Sequence, residues 1–376
     1  MILGARQVGK TTLAQRVFPR HTYCDLEEPG TRARFARDPT FELGTRATPD
    51  LILDEAHAVP DVFASLRGII DRGSRRGRFV LLGSAQPSLV RGVSESLAGR
   101  VGVLDLDPLV AAETSPGTPH ISVETVWLKG GFPLALRPRG AGWMESYLRT
   151  LIERDLPQLG IDTNPLRLRR LLTMLAHMQG GLLNLSQLGN ALDVSYHSVA
   201  RYLDLLEGAF LIRRLPPYFR NVGKRLTKSP KVYIRDTGVL HHLLGISSMK
   251  ELLAHPVRGA SWETFVLEDF VRRERLAHAG SRFSFWRTAT GVEVDLLIER
   301  GPHRFAIEVK SAPNRTSKEI DALVRASTDA DAASGVWIVD AGGAPEQLAP
   351  GIERRGFAQS LDWLPKPMRR QGRLRR

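Results

Sequence analysis

Residues 4–12 read Gly-Ala-Arg-Gln-Val-Gly-Lys-Thr-Thr, a full match to the phosphate-binding spacing G-x-x-x-x-G-K-[ST]. Gly4 and Gly9 let the backbone curl, so the N–H groups of Ala5, Arg6, Gln7, Val8 and Thr12 are candidates to face an anion. A helix starting near Lys10 adds its positive end. Lys10 is placed to reach β- and γ-phosphates, and Thr11 to offer its hydroxyl to Mg²⁺. Residues 51–55, Leu-Ile-Leu-Asp-Glu, form an apolar strand ending in two acids. Asp54 is the candidate metal carboxylate and Glu55 the group that polarises an attacking water. A third apolar run, 79–82, leads into Gly83-Ser84-Ala85-Gln86. There Ser84 and Gln86 either sense a γ-phosphate or form an ordinary polar turn. Three strand ends in this order predict ATP or GTP binding with Mg²⁺.

A second group of candidates lies near the C-terminus. Residues 292–298 and 305–309 alternate around a turn at Gly301-Pro302, which predicts a hairpin pairing residues whose numbers sum to 603. That register stacks Val294 on Val309, Leu296 on Ile307 and Ile298 on Phe305 as one apolar face. The other face pairs Asp295 with Glu308 and Glu293 with Lys310. Opposed carboxylates repel unless a cation joins them. Asp295 and Glu308 are hard oxygen donors of the kind Mg²⁺ takes, and Lys310 lies on the same face to orient a water. A Glu308–Lys310 salt bridge in a degenerate fold is the alternative.

Between these sites the pattern is helical. Leu148, Leu151 and Ile152 share one face, Leu168, Leu171, Leu172 and Leu175 another, and Pro157 and Pro165 interrupt the run. Asn184-Leu185-Ser186 opens a short helix, Asp193-Val194 turns, and Ser195 caps a second helix to Glu207. Val199, Leu203 and Leu206 face inward, and Tyr196, His197, Ala200 and Arg201 outward. With strand-like 210–215 following, a winged helix is predicted, serving either DNA or internal packing. Arg167, Arg169, Arg170, Lys224, Arg225, Lys228 and Lys231 are the nearby cations that favour a polyanion.

Composition bounds the class. A single Cys24 excludes an intramolecular disulfide framework, and no apolar run approaches the ~18 residues of a membrane span. With no signal-peptide pattern, a soluble cytoplasmic protein is expected. Lys and Arg number 53 against 40 acids, giving +13, and only nine of the cations are Lys. The tail 366–376 holds six cations and no acid, suited either to phosphate contacts or to plain solvation.

The chain resembles AAA-type P-loop ATPases of bacteria and archaea that carry a C-terminal restriction-endonuclease-like domain of unknown function. The matching segments include 4–12, Tyr-Cys-Asp-Leu-Glu-Glu-Pro at 23–29, 51–57, 82–86 and Ser-Glu-Ser-Leu-Ala-Gly-Arg-Val at 94–101. Others are 130–133, 147–156, 215–226, 229–238 and 285–310. The resemblance implies an α/β chain: a P-loop sheet at 1–113, a helical and winged-helix region at 114–220, an α+β nuclease-like domain at 221–365, and the basic tail. It implies ATP as ligand and, for Arg100, either a γ-phosphate contact, in cis or from a neighbouring copy in a homo-oligomer, or a structural salt bridge. It also makes Glu263 a helix acid joining Asp295, Glu308 and Lys310 at a nuclease-like metal site. Family members usually have more strand before the loop than Met1-Ile2-Leu3, so either a start codon placed too late, the favoured expectation, or a nucleotide pocket lacking part of its adenine side is expected. Three activities follow as alternatives: an ATPase controlling the later modules, a nucleotide-gated DNA nuclease, or a non-hydrolysing switch that binds DNA or protein.

Overall fold

The computed structural model describes all residues except 45–49, 74–76, 85–94, 115–120, 139, 141, 158–163, 219–228, 289–291, 312–316, 330, 331, 333–335, 341, 343 and 361–376. Gln86, Lys224, Arg225, Lys228 and the basic tail therefore lie outside the described residues.

Short apolar runs build a five-stranded parallel sheet: β1 (Ile2–Gly4), β2 (Thr22–Asp25), β3 (Leu51–Asp54), β4 (Phe79–Gly83) and β5 (Leu104–Leu106), in the order β2-β3-β4-β1-β5. Every residue of β3 is buried, as a parallel strand covered on both faces requires. Around the sheet lie α1 (Lys10–Val17), α2 (Pro29–Arg37), α3 (Pro39–Gly44) and α4 (Asp61–Arg72). Val62, Phe63 and Leu66 of α4 point into a core shared with Leu51, Leu53 and Leu81. Gly4 must be glycine, since a Cβ there would stand 2.3 Å from the Leu106 carbonyl oxygen.

The chain continues through α5 (Ala111–Thr114), α6 (Val123–Lys129) and α7 (Trp143–Thr150), which runs on as a π-helical turn over Leu151–Asp155. Next come α8 (Pro165–His177), α9 (Leu185–Leu192) and α10 (Tyr196–Gly208). Asn164 caps α8, Asn184 caps α9 and Ser195 caps α10, each accepting backbone N–H groups of the first turn. Asp193, at φ 54°, makes the turn between α9 and α10. Val199, Leu203 and Leu206 are fully buried while Tyr196, His197 and Arg201 are exposed, as the periodicity predicts. Strands β6 (Ile212–Leu215) and β7 (Lys231–Ile234) then pair antiparallel, so this small sheet straddles the boundary expected at 220–221.

Then follow α11 (Thr237–Leu243), α12 (Met249–Ala254), α13 (Arg258–Ala277) and a six-stranded mixed sheet. Its strands are β8 (Arg282–Arg287), β9 (Glu293–Arg300), β10 (His303–Val309), β11 (Val336–Asp340), β12 (Glu346–Ala349) and β13 (Ile352–Gly356), with α14 (Ser317–Asp329) before β11. The β9–β10 ladder runs from Arg300–His303 to Leu296–Ile307, every pair summing to 603. Against β8, however, the register steps from Ser284–Leu297 to Trp286–Val294, so Phe285 alone on β8 faces two residues, Asp295 and Leu296, on β9. This bulge turns Val294 away from Leu296 and Ile307 and into a second core with Leu297, Ala306 and Leu323. The single apolar face expected from alternation is corrected accordingly: both faces of the hairpin are covered.

Close backbone approach locks α11 against the end of α6. A Cβ on Gly238 would meet the Lys129 carbonyl oxygen at 2.1 Å. Gly238→Ala is expected to lower stability by about 1–3 kcal/mol, read from thermal unfolding, because backbone cannot yield as a side chain can.

Candidate nucleotide site and a C-terminal carboxylate cluster

The phosphate-loop residues and the end of β3 converge. Gly9 takes φ 102°, a left-handed conformation that glycine adopts freely, and α1 starts directly after it. Lys10 Nζ donates to the carbonyls of Gly4 (3.0 Å) and Ala5 (2.9 Å), both in the loop itself. Burial pulls this ammonium below its ordinary pKa, against the opposing charges of Glu55 and Asp54. Thr11 Oγ1 donates to Asp54 Oδ2 at 2.6 Å, and Tyr23 OH donates to the same oxygen at 2.9 Å. Glu55 is left-handed at φ 48°, an uncommon state for a non-glycine residue. Its buried Oε2 has no hydrogen-bond partner among the described residues and lies 3.3 Å from His57 Nδ1. Burial would raise the Glu55 carboxyl, but the His57 ring and Lys10 outweigh it and hold it below the usual range.

These groups open on a cleft of about 850 Å³ whose far wall belongs to the next segment of chain. Arg137, Thr150, Arg154 and Asp155 line it there, none of them assigned from sequence. Arg6 Nη1 pairs with Asp155 Oδ1 at 3.0 Å, and Trp143 Nε1 donates to Gln7 Oε1 at 2.9 Å. Ala5 and Val8 pack into the same core as Phe132, Tyr147 and Leu151. The loop is thus held from outside its own sheet. A π-turn, which often marks a functional position, supplies Arg154 and Asp155. Arg100 lies outside the cleft lining and forms a bidentate pair with Asp71 at 2.6 and 3.0 Å. Ser84 follows β4, and its Oγ has no partner among the described residues.

The C-terminal candidates also meet, with an addition. Asp295 lies just past the last ladder pair, where its Oδ2 accepts the Val309 N–H at 2.9 Å. The Glu308 side chain contacts Lys310 Nζ, and its other oxygen, Oε2, is buried with no hydrogen-bond partner among the described residues. Glu263 on α13 accepts from Tyr233 OH at 2.6 Å. Among these acids stands Lys231 of β7: its Nζ is 3.1 Å from Glu263 Oε1, 3.5 Å from Asp295 Oδ1, and in contact with Glu293. Its side chain is 4% exposed, so the expectation of a surface cation for nucleic acid is corrected. Arg169 and Arg170 are likewise engaged, with Glu145 and the Ala191 carbonyl. Burial first, then the Asp295 charge, hold Glu263 and Glu308 above the usual carboxylate range.

A third charged group was invisible in the sequence. Glu268 of α13 is held by Arg213, Arg235 and Arg272, and Arg235 also binds Asp107, which lines the 850 Å³ cleft just after β5.

Residues 1–115 match the AAA domain family, 121–250 a domain of unknown function (DUF8612), and 258–349 another (DUF4143). An uncharacterized protein of Mycobacterium tuberculosis is 40% identical over 332 residues, covering 86% of this chain and 73% of its own length. One of Mycobacterium bovis matches to the same extent. An uncharacterized Haemophilus influenzae protein is 28% identical over 124 residues, 31% of each chain. A solved Vibrio cholerae protein aligns over 96% of this chain and 94% of its own, at 13% identity and a TM-score of 0.21, too low to carry any argument. Among the described residues no helix is long and apolar enough to cross a membrane. The chain belongs to one family with the mycobacterial proteins, and its own order is an AAA domain followed by two domains of unknown function.

Proposed function

We propose that the protein is a Mg²⁺-dependent ATPase whose nucleotide state is passed to the later modules. The observation that carries this is the meeting of Lys10, Thr11, Asp54 and Glu55 on one cleft. The adjacent Thr11 hydroxyl and Asp54 carboxylate suit Mg²⁺: hard oxygens, leaving room for water and phosphate. The ion would neutralise phosphate charge there. Lys10 satisfies itself on two neutral carbonyls, so an incoming phosphate offers its ammonium a better partner. Loop N–H groups and the start of α1 would hold the anion, and Glu55 would take a proton from water as the water oxygen bonds to the γ-phosphorus and the bond from that phosphorus to the β,γ-bridging oxygen breaks, leaving ADP and phosphate.

The fold of the later modules belongs to the same proposal. Helices α8–α10 with β6–β7 support a winged helix. The six-stranded sheet, with α13 on one face and Asp295, Glu308 and Lys310 at adjacent strand ends, supports a restriction-endonuclease-like fold. Passage of the nucleotide state to them is supported by Asp107, which lines the cleft and binds Arg235.

Binding of MgATP by the full chain, followed by calorimetry, tests the assignment. Lys10→Ala is expected to weaken it about 10- to 100-fold, the worth of a charge-assisted hydrogen bond. Equal affinity in the variant and the wild type would remove the cleft as the nucleotide site.

A further inference from the structure

The C-terminal cluster contains four acids within reach of one another: Glu263, Glu293, Asp295 and Glu308. Such a set ordinarily calls for a divalent cation, because unpaired buried carboxylates are costly. Here the position between Glu263, Glu293 and Asp295 is already filled by an ammonium group. Lys231 is fixed there by more than charge. Its strand is paired to β6, its backbone bridges to Leu182, and its Nζ lies 5.9 and 5.6 Å from the ring centres of Tyr233 and Phe285. Tyr233 OH takes the same Glu263 oxygen, so that acid has two resident donors. Arg287 holds the other end of Glu293 at 3.1 Å, and Lys310 holds Glu308. Among the described residues no group of three or more His, Cys, Asp or Glu side chains is placed to hold a metal ion.

We propose that Lys231 is the resident cation of this cluster, occupying with its charge three of the acids, Glu263, Glu293 and Asp295, that a divalent ion would otherwise draw on. The residues do not fit a metal. Mg²⁺ needs oxygens at about 2.0–2.1 Å with several waters retained, and an ammonium among the same oxygens repels it. The cluster then acts as a clamp. It ties β7, and with it the α8–α10 helices, to α13 and β9, next to the hydrogen bonds that join 216–218 to Phe285. Metal-assisted phosphodiester cleavage is not the work of this site.

The test uses the nucleotide-free full chain with Mn²⁺ alone as probe, counting bound ions by the loss of the free-ion EPR signal. Asp295→Asn and Glu308→Gln are expected to bind as many Mn²⁺ as wild type. Lys231→Ala is expected to gain one ion, lost again in the Lys231→Ala/Asp295→Asn double variant. A wild-type Mn²⁺ that Asp295→Asn or Glu308→Gln releases overturns the proposal. So does a folded Lys231→Ala that takes no extra ion, since the lysine would then not be what excludes the metal. If Lys231→Ala does not fold, the comparison of wild type with the two acid variants decides alone.

Discussion

Glu55→Gln is expected to reduce ATP turnover by about 10²–10⁴-fold, the usual worth of a positioned general base. MgATP affinity should stay within a few-fold of wild type. On the barrier this corresponds to roughly 3–5 kcal/mol. The substitution is nearly isosteric, so the loop, Lys10 and the Thr11–Asp54 contact remain. What disappears is a carboxylate whose buried oxygen has no hydrogen bond among the described residues and only the His57 ring beside it, 3.3 Å away. Buried oxygens are seldom left so, and the exceptions concentrate where a water or substrate is to be bound. Backbone strain at the same residue points the same way: φ 48° persists in a glutamate only where the surroundings impose it. With its carboxyl below the usual range, Glu55 is ionised at neutral pH and ready to accept a proton. Steady-state phosphate release, with calorimetry on the same preparation, separates the two parameters. Unchanged turnover in Glu55→Gln would end its role as base and leave a nucleotide-binding switch.

The two sites differed in how far the sequence revealed them, for physical reasons. Phosphate-loop chemistry is local: Gly4, Gly9, Lys10 and Thr11 must follow one another, and Asp54 need only end the next buried strand. Pattern therefore predicts contact. The hairpin register was legible too, because a turn and strict alternation leave one pairing that keeps the apolar residues together. Its bulge was not, since the extra β9 residue shows only against β8. The burial of Lys231 is hidden in the sequence for a related reason. It lies 32 residues from Glu263 and 62 from Glu293, and a lysine near other cations looks like a surface residue until its partners fold around it. For Arg100 the resemblance offered a γ-phosphate contact or a structural salt bridge, and in the fold it pairs with Asp71, 29 residues away.

The Glu268 network is the extreme case of such non-local chemistry, and it carries the second large effect. Glu268→Gln is expected to destabilise the protein by about 3–5 kcal/mol, the cost of breaking a buried ion pair from one side. Its carboxylate is 2% exposed and faces three guanidinium groups. Burial alone would raise its pKa, yet Arg213 and Arg235 overcome this and hold it far below the usual range. The charge is thus present throughout the neutral range. Its stabilising effect is full above pH 4.5 and fades only as pH falls towards the depressed value. Glutamine keeps the volume but leaves Arg213 and Arg272 facing a neutral amide, and Arg235 with Asp107 alone. Glu153→Gln serves as control: its i,i+4 pair with Arg149 is exposed at both ends, and pairs of that kind contribute little. Equal thermal shifts in the two variants would show that burial is not what gives Glu268 its weight. The same network offers a readout of communication, because Arg235 joins Asp107 at the cleft to Glu268 on the helix that also carries Glu263. Saturating MgATP is expected to raise the unfolding temperature of the C-terminal unit in wild type, and to raise it less in Glu268→Gln. An equal rise in both would place the path elsewhere, because a ligand shifts a distant element only through contacts that differ between its two states.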